Sequence, residues 1–277
     1  MRFHQMWRQP LLGVALVLGA AVAAQAQTPR LSNGRLETHA TTNIAKDVPA
    51  LAATLSEPMW IGYAQPMIGG NHEMCDYWND GRRLSQSTDP IRLEPADFFF
   101  VMFRVEEQQI TRIRTYSANC PLDAGGKAVH WFNGVPVNDS ISYMKTFMGP
   151  NATRRFNDSA VTVVALTEGQ RPLDELIALA RDGGNVTTRG NALFWLAQRA
   201  GAKAVGQITA AIENDPDTKV KEKAVFALSQ LPKDEGVPLL IQQARTNKNP
   251  AVRKQAMFWL GQSKDPRALK FFEEILR

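Results

Sequence analysis

The stretch AVFALSQ at residues 224–230 has two near copies in the same chain, ALFWLAQ at 192–198 and AMFWLGQ at 256–262, each starting 32 residues from the next. Extending the interval backwards gives AVTVVAL at 160–166. Ala160, Ala192, Ala224 and Ala256 therefore share one register, and four positions on stand Val164, Leu196, Leu228 and Leu260. A second apolar series follows each alanine by 13 and 16 residues: Leu173, Val205, Val237 and Leu269, then Leu176, Ile208, Leu240 and Phe272. Spacings of three and four belong to a helix, and the gap between the two series is a turn. Each period is thus a pair of antiparallel helices. A single pair cannot bury its apolar side alone, so the pairs must stack into a solenoid.

Helix starts are written in as well. Asp215-Pro216, Asn249-Pro250 and Asp265-Pro266 each set a capping side chain before a proline that needs no amide partner in the first turn. Ankyrin repeats have a similar period, but their Thr-Pro-Leu-His phrase is missing. Tetratricopeptide repeats spread Trp, Leu, Gly and Tyr over helical positions, whereas Trp259, Leu260 and Gly261 are contiguous. With a basic residue three positions before the alanine, at Lys221 and Arg253, AVFALSQ and AMFWLGQ resemble short HEAT-like repeats of bacterial proteins and phycobilin-lyase-type repeats. The resemblance spans residues 155–277, and the chain as a whole resembles exported bacterial HEAT-repeat-domain proteins. It implies a stacked α-solenoid of four helix pairs and no definite chemistry. The first unit lacks the aromatic and the glutamine and is expected to be a degenerate cap.

Upstream of the repeats the texture is strand-like. WIGYAQPM, FFFVMFRV, ITRIRTYSA and VHWFNGV are rich in aromatic and branched residues, and Asn133-Gly134 supplies a turn signal. In ITRIRTYSA the apolar residues Ile110, Ile113 and Tyr116 break strict alternation, yet a hairpin with FFFVMFRV is expected. The predicted fold class is α+β in two domains. Residues 56–135 form a small β-rich domain, 136–154 a linker or short helix, and 155–277 the all-α solenoid. Residues 27–55 read as a flexible leader, and His39 within them is assigned no role.

The chain starts with Arg2, His4 and Arg8, follows with an uncharged run from Leu11 to Ala24, and then offers Ala24-Gln25-Ala26. This is the pattern of a signal peptide, residues 1–26, cleaved after Ala26. The apolar run is shorter than the roughly 20 residues of a membrane span, so no membrane anchor is expected. Localisation is therefore predicted to be periplasmic or extracellular. Loss of Arg2 and Arg8 takes the formal charge from +5 to 5 − 2 = +3, too small an excess to mark a nucleic-acid partner.

The two cysteines, Cys75 and Cys120, are expected to form a disulfide that staples the β-rich domain. Alternatively, His72, Cys75, Cys120 and His130 form a zinc set and the protein is a zinc-dependent enzyme, or it is a lyase by analogy with the phycobilin-lyase repeats. No nucleophile elbow, His-Glu-x-x-His, phosphate loop or dinucleotide fingerprint occurs. DYWNDG at 76–81 has Trp78 where a calcium loop needs an oxygen. The favoured expectation is a non-catalytic scaffold with no cofactor, binding a protein partner through the solenoid. Two registers are candidates for that contact. Arg181, Arg245 and Arg277 fall on the second helices, which are taken to line the inner curve, and Trp195 and Trp259 lie on the first helices beside Phe194 and Phe258. The glutamines 198, 230 and 262 are expected to form a stacking ladder, and Arg189, Lys221 and Arg253 an exposed or inter-repeat ionic stripe.

Overall fold

The computed structural model describes residues 27–70, 74–75, 96–120 and 122–277. The predicted signal peptide, His72 and the DYWNDG stretch lie outside the described residues.

Five strands build the main sheet: β2 (Arg35–His39), β3 (Met59–Pro66), β4 (Phe98–Glu106), β5 (Gln109–Ser117) and β7 (Ala128–Phe132), in the order β2-β7-β3-β4-β5. β2 and β3 both run parallel to β7, and β3-β4-β5 is an antiparallel meander. β1 (Leu31–Ser32) and β6 (Leu122–Asp123) pair as a short parallel bridge. The β4–β5 turn is made by Glu107 and Gln108, both at positive φ (52° and 62°), the backbone that a two-residue hairpin requires. Opposite Arg104 and Val105 the register slips by one residue, so Thr111 is extra in β5. That bulge accounts for the broken alternation: Ile110 faces Val105 and Ile113 faces Phe103, which puts both on one side of the sheet.

Residues expected to be a flexible leader are folded. β2 forms the edge of the main sheet, with Glu37 opposite His130 and His39 opposite Phe132. α1 (Ile44–Ala52) follows, capped by Asn43, whose side chain accepts from the Lys46 amide at 3.2 Å. Ile44, Val48 and Ala52, four residues apart, are buried against the sheet's core, and this short stripe interrupted by Pro49 is why the segment reads as featureless.

The expected linker or short helix contains α2 (Val137–Lys145), which Gly134 introduces with a left-handed φ of 65°. α2 lies between sheet and solenoid. Ser140 and Tyr63 share a buried hydrogen bond of 2.9 Å, and Lys145 reaches the buried carboxylate of Glu175 at 2.8 Å. The four predicted helix pairs are α3 (Arg154–Leu166) with α4 (Gln170–Asp182), α5 (Val186–Ala200) with α6 (Val205–Asn214), α7 (Thr218–Ser229) with α8 (Lys233–Thr246), and α9 (Pro250–Gln262) with α10 (Pro266–Ile275). A 3₁₀ turn at Gly201–Ala204 precedes α6.

Sheet and solenoid share one continuous core. Ile61, Tyr63, Phe99, Val101 and Phe103 from the sheet join Ile141 and Met144 of α2 and the inward residues of all four pairs. The backbone is stitched across the same boundary, Ile68 donating to the Leu166 carbonyl and Glu168 to that of Pro66, both at 2.9 Å. The first unit lacks an aromatic because α3 packs against α2 and β5: Val163, in the register of Trp195 and Trp259, is fully buried. The sheet's other side holds a separate cluster of Trp60, Phe100, Met102, Tyr116, Leu122 and Trp131, and onto it the Cys75–Cys120 disulfide closes.

Leu228 is fully buried between α7 and its neighbours. Leu228→Asp leaves an unpaired carboxylate there and is expected to abolish the cooperative unfolding transition, while Leu228→Ala lowers stability by about 2–5 kcal/mol. Arg245→Ala removes an exposed ion pair with Glu274 and a stack on the Phe271 ring and costs about 1 kcal/mol. Urea denaturation of the three variants checks the order; equal losses for Leu228→Ala and Arg245→Ala would show the faces to be reversed.

Candidate interaction surface

Ala160, Ala192, Ala224 and Ala256 are all fully buried where consecutive first helices cross. A methyl at each crossing lets α3, α5, α7 and α9 pack directly on one another, whereas the second helices touch each other only sparsely. The closer layer is the inner side of the array. Arg181, Arg245 and Arg277, placed by sequence on the inner curve, therefore stand on the outer, diverging layer, a correction that follows from where the small residues fall.

The three arginines do not converge. Arg181 pairs with the adjacent Asp182 at 2.7 Å and sits at the rim of a cleft of about 460 Å³ between α4 and α6, floored by Ile177, Ala210 and Ala211. Arg245 binds Glu274 and covers the Phe271 ring at 5.1 Å, so it clasps the third unit to the fourth. Arg277 lies beyond the end of α10.

The tryptophans, by contrast, belong to a continuous aromatic ladder on the inner layer. Phe194 and Phe226 stack face to face at 5.7 Å with 1° between their planes, and Trp259 meets Phe226 at 4.8 Å. Trp195 and Phe258 close the two ends edge-on, at 5.4 Å from Phe194 and 4.9 Å from Trp259. The rings join units two, three and four; Trp195, Phe194, Phe226 and Trp259 are half-buried, with the Trp259 Nε1 buried and without a hydrogen-bond partner, and Phe258 is exposed. Phe226 is the member that sequence reasoning passed over, although its register with Phe194 and Phe258 marks it.

Polar ladders flank the rings. Gln198 donates to Gln230 at 3.2 Å, one rung of the expected ladder, while the Gln230 amide turns to Ser229. On the other side Asp158, Asn191 and Lys223 run across three units, Asn191 donating to Asp158 and Lys223 reaching Asn191 at 3.5 Å. Gly190 makes this possible: a Cβ there would lie 2.0 Å from Lys223 Cδ. Burial lowers the pKa of Lys223, against the attraction of Asp158.

The recurrent basic residues act as clamps. Arg189 donates to the Gly183 carbonyl at 3.0 Å and in a fork to Asp215 at 2.7 and 3.1 Å. Arg253 donates to the Asn247 and Lys248 carbonyls, and Lys221 to those of Ile212 and Glu213. Each satisfies carbonyls left open where the preceding second helix ends. Their role is to join units.

The zinc set is not assembled. The sulfurs of Cys75 and Cys120 are bonded to each other, and His130, with Phe132, points to the opposite side of the sheet from Cys120. His130 meets His39 instead, Nδ1 to Nε2 at 3.0 Å, with Glu37 Oε2 at 3.5 Å. Its Nε2 is buried with no hydrogen-bond partner. Burial lowers the pKa of His130, partly opposed by Glu37. No group of three or more His, Cys, Asp or Glu suited to a metal occurs among the described residues, and no described helix is long and apolar enough to cross a membrane.

Comparison with known proteins agrees with the repeat architecture. Residues 205–277 match the family model of HEAT repeats, so the last units of the solenoid are HEAT repeats. Among solved structures, the complex of CpcE and CpcF of phycocyanin lyase from Nostoc sp. PCC7120 is similar at 16% identity and a TM-score of 0.40, over 51% of this chain and 90% of that one. Escherichia coli YibA is similar at 21% identity and a TM-score of 0.36, over 50% and 54%. Neither likeness is close enough to speak to activity. No curated protein matches the chain.

Because the folded state holds His130 below its ordinary pKa, the unfolded chain takes up the proton more readily. The contribution of His130 to stability is complete above about pH 6.5 and is lost as pH falls below that value. Urea midpoints compared at pH 7.5 and 5.5 should drop on acidification, and His130→Gln should flatten that drop; an unchanged slope refutes the assignment.

Proposed function

We propose that the protein is a non-catalytic scaffold of an oxidising compartment outside the cytoplasm, holding a protein partner along the inner layer of its solenoid. The observation that carries this reading is the aromatic ladder from Trp195 to Phe258. Five rings line up across three units, four of them half-buried and Phe258 exposed, and rigid aromatic side chains dominate the energetics of protein interfaces. HEAT-like repeats present such extended faces, and the polar groups beside the ladder are held in register by Gln198–Gln230 and Asp158–Asn191–Lys223. The arginine register supports partner binding less well, since Arg181 and Arg245 are already paired with Asp182 and Glu274. The Cys75–Cys120 disulfide supports the compartment.

Crosslinked capture from an envelope extract tests the assignment. The double change Trp195→Ala with Phe194→Ala is expected to reduce capture of a reproducible protein partner at least about tenfold while far-ultraviolet circular dichroism stays that of the parent. Arg181→Glu with Arg245→Glu is expected to leave capture within about twofold. Loss of capture with the arginine pair and not with the aromatic pair would transfer the binding face to the outer layer.

A further inference from the structure

Charge in the solenoid separates by layer. The first helices α3, α5, α7 and α9 carry nine arginine and lysine side chains and two carboxylates, Asp158 and Glu222; the second helices α4, α6, α8 and α10 carry six cations and eight carboxylates. Four of the nine are joints between units: Arg189, Arg199, Lys221 and Arg253 donate to carbonyls where preceding helices end. The other five stand toward the starts of their helices. Lys219, Lys223 and Phe226 fall on one stripe at helical spacing, as do Lys254 and Phe258, and Arg155 lies two turns before Thr162, the first unit's counterpart of Phe194. A cationic band thus runs beside the aromatic ladder in units one, three and four. Its own counter-ions are few. Arg154 meets Asp158 at 3.5 Å and Lys223 reaches the same carboxylate through Asn191, while among the described residues no carboxylate pairs with the exposed Arg155, Lys219 or Lys254.

Taking the ladder as the docking face, we propose that the partner presents an acidic, extended peptide segment, with its carboxylates on this band and its apolar side chains on the rings. Unmet ammonium and guanidinium groups in a row are satisfied by carboxylates, through charge-assisted hydrogen bonds and complementary potential. The rings select against two other occupants. A basic segment would seek the negative faces of aromatic rings, and a single-stranded nucleic acid would stack its bases on them. Here those faces are turned to one another, Phe194 stacked on Phe226 and Trp259 set against Phe226. Geometry sets the length of the segment. Packed helices lie about 8–10 Å apart, about three residues of an extended chain, so about eight residues run from Arg155 in unit one to Lys254 in unit four.

A random dodecapeptide display library panned on the immobilised, purified chain tests this without a known partner. Enriched peptides should carry a net negative charge with apolar residues among the acidic ones, and their affinity should fall as sodium chloride is raised. Synthesised singly, they should bind Lys219→Glu with Lys254→Glu at least about tenfold more weakly than the parent, and Lys219→Arg with Lys254→Arg within about twofold of it. Both positions are exposed, so circular dichroism of these variants should match the parent. Peptides that need Phe194 and Trp195 but show no acidic excess, or that ignore the lysine reversal, overturn the acidic segment and leave the ladder as a docking face. Peptides indifferent to Trp195→Ala with Phe194→Ala, or a library with no enrichment, remove both. Lysine-dependent binding of a single-stranded oligodeoxynucleotide, with no acidic peptide selected, would assign the band to a nucleic acid and overturn the proposal.

Discussion

The structure depends on four buried methyl groups. Ala160, Ala192, Ala224 and Ala256 sit where first helices cross, and a larger side chain at any of them would push two helices apart along their whole length. Helix separation at these points fixes the distances that everything else uses. The Arg189 fork reaches Asp215, the Phe194 and Phe226 rings stack, and Asn191 bridges Asp158 to Lys223, because adjacent units lie within one side chain of each other. The inner layer carries the aromatic rings for the same reason. Close approach there forces large residues to the outside of the crossing, and the large residues in this chain are aromatic.

The solenoid is not an independent module tied to a β domain by a tether. α2 and α3 cover one side of the sheet, so the sheet stands where a preceding repeat would otherwise lie. Stability in an array is a sum of unit and interface terms, and here the first interface is with a five-stranded sheet. At this junction Lys145 and Arg171, both half-exposed, engage the buried carboxylate of Glu175.

What could be read in the sequence was whatever repeats. A 32-residue period gave each helical position several independent witnesses, so the pairs, the Asn249 and Asp265 caps and the inward leucines were legible in advance, whereas α7 starts at Thr218 and is capped by Asp217 instead of the expected Asp215. Single-copy features had one witness each. β2 and α1 are short, α1 has a proline at Pro49, and nothing in RLETH announces that it pairs with a strand 90 residues away. His39 looked idle because its partner, His130, is brought to it only by that pairing. The Ile110–Ile113 irregularity was visible, but a bulge is recognised from the opposite strand. The direction of curvature was misjudged because periodicity locates a helix's inward side and says nothing about which of two layers closes up; the alanines, compared with the longer residues at equivalent points of the second helices, carried that information.

The parallel pairing of β2 with β7 also sets an order of events during synthesis. Helical units three and four are built from contacts within a few tens of residues and can form as soon as they emerge. Arg35–His39 must wait for Ala128–Phe132, and the covered side of the sheet waits for α3. Contacts of long sequence separation form slowly because loop closure precedes any reward. Arg35–His39 and the strands beside it are thus held open until α3 has formed, with their aromatic residues exposed to solvent in the interval. For a protein with this topology, the period of greatest exposure to aggregation falls before the first repeat is complete.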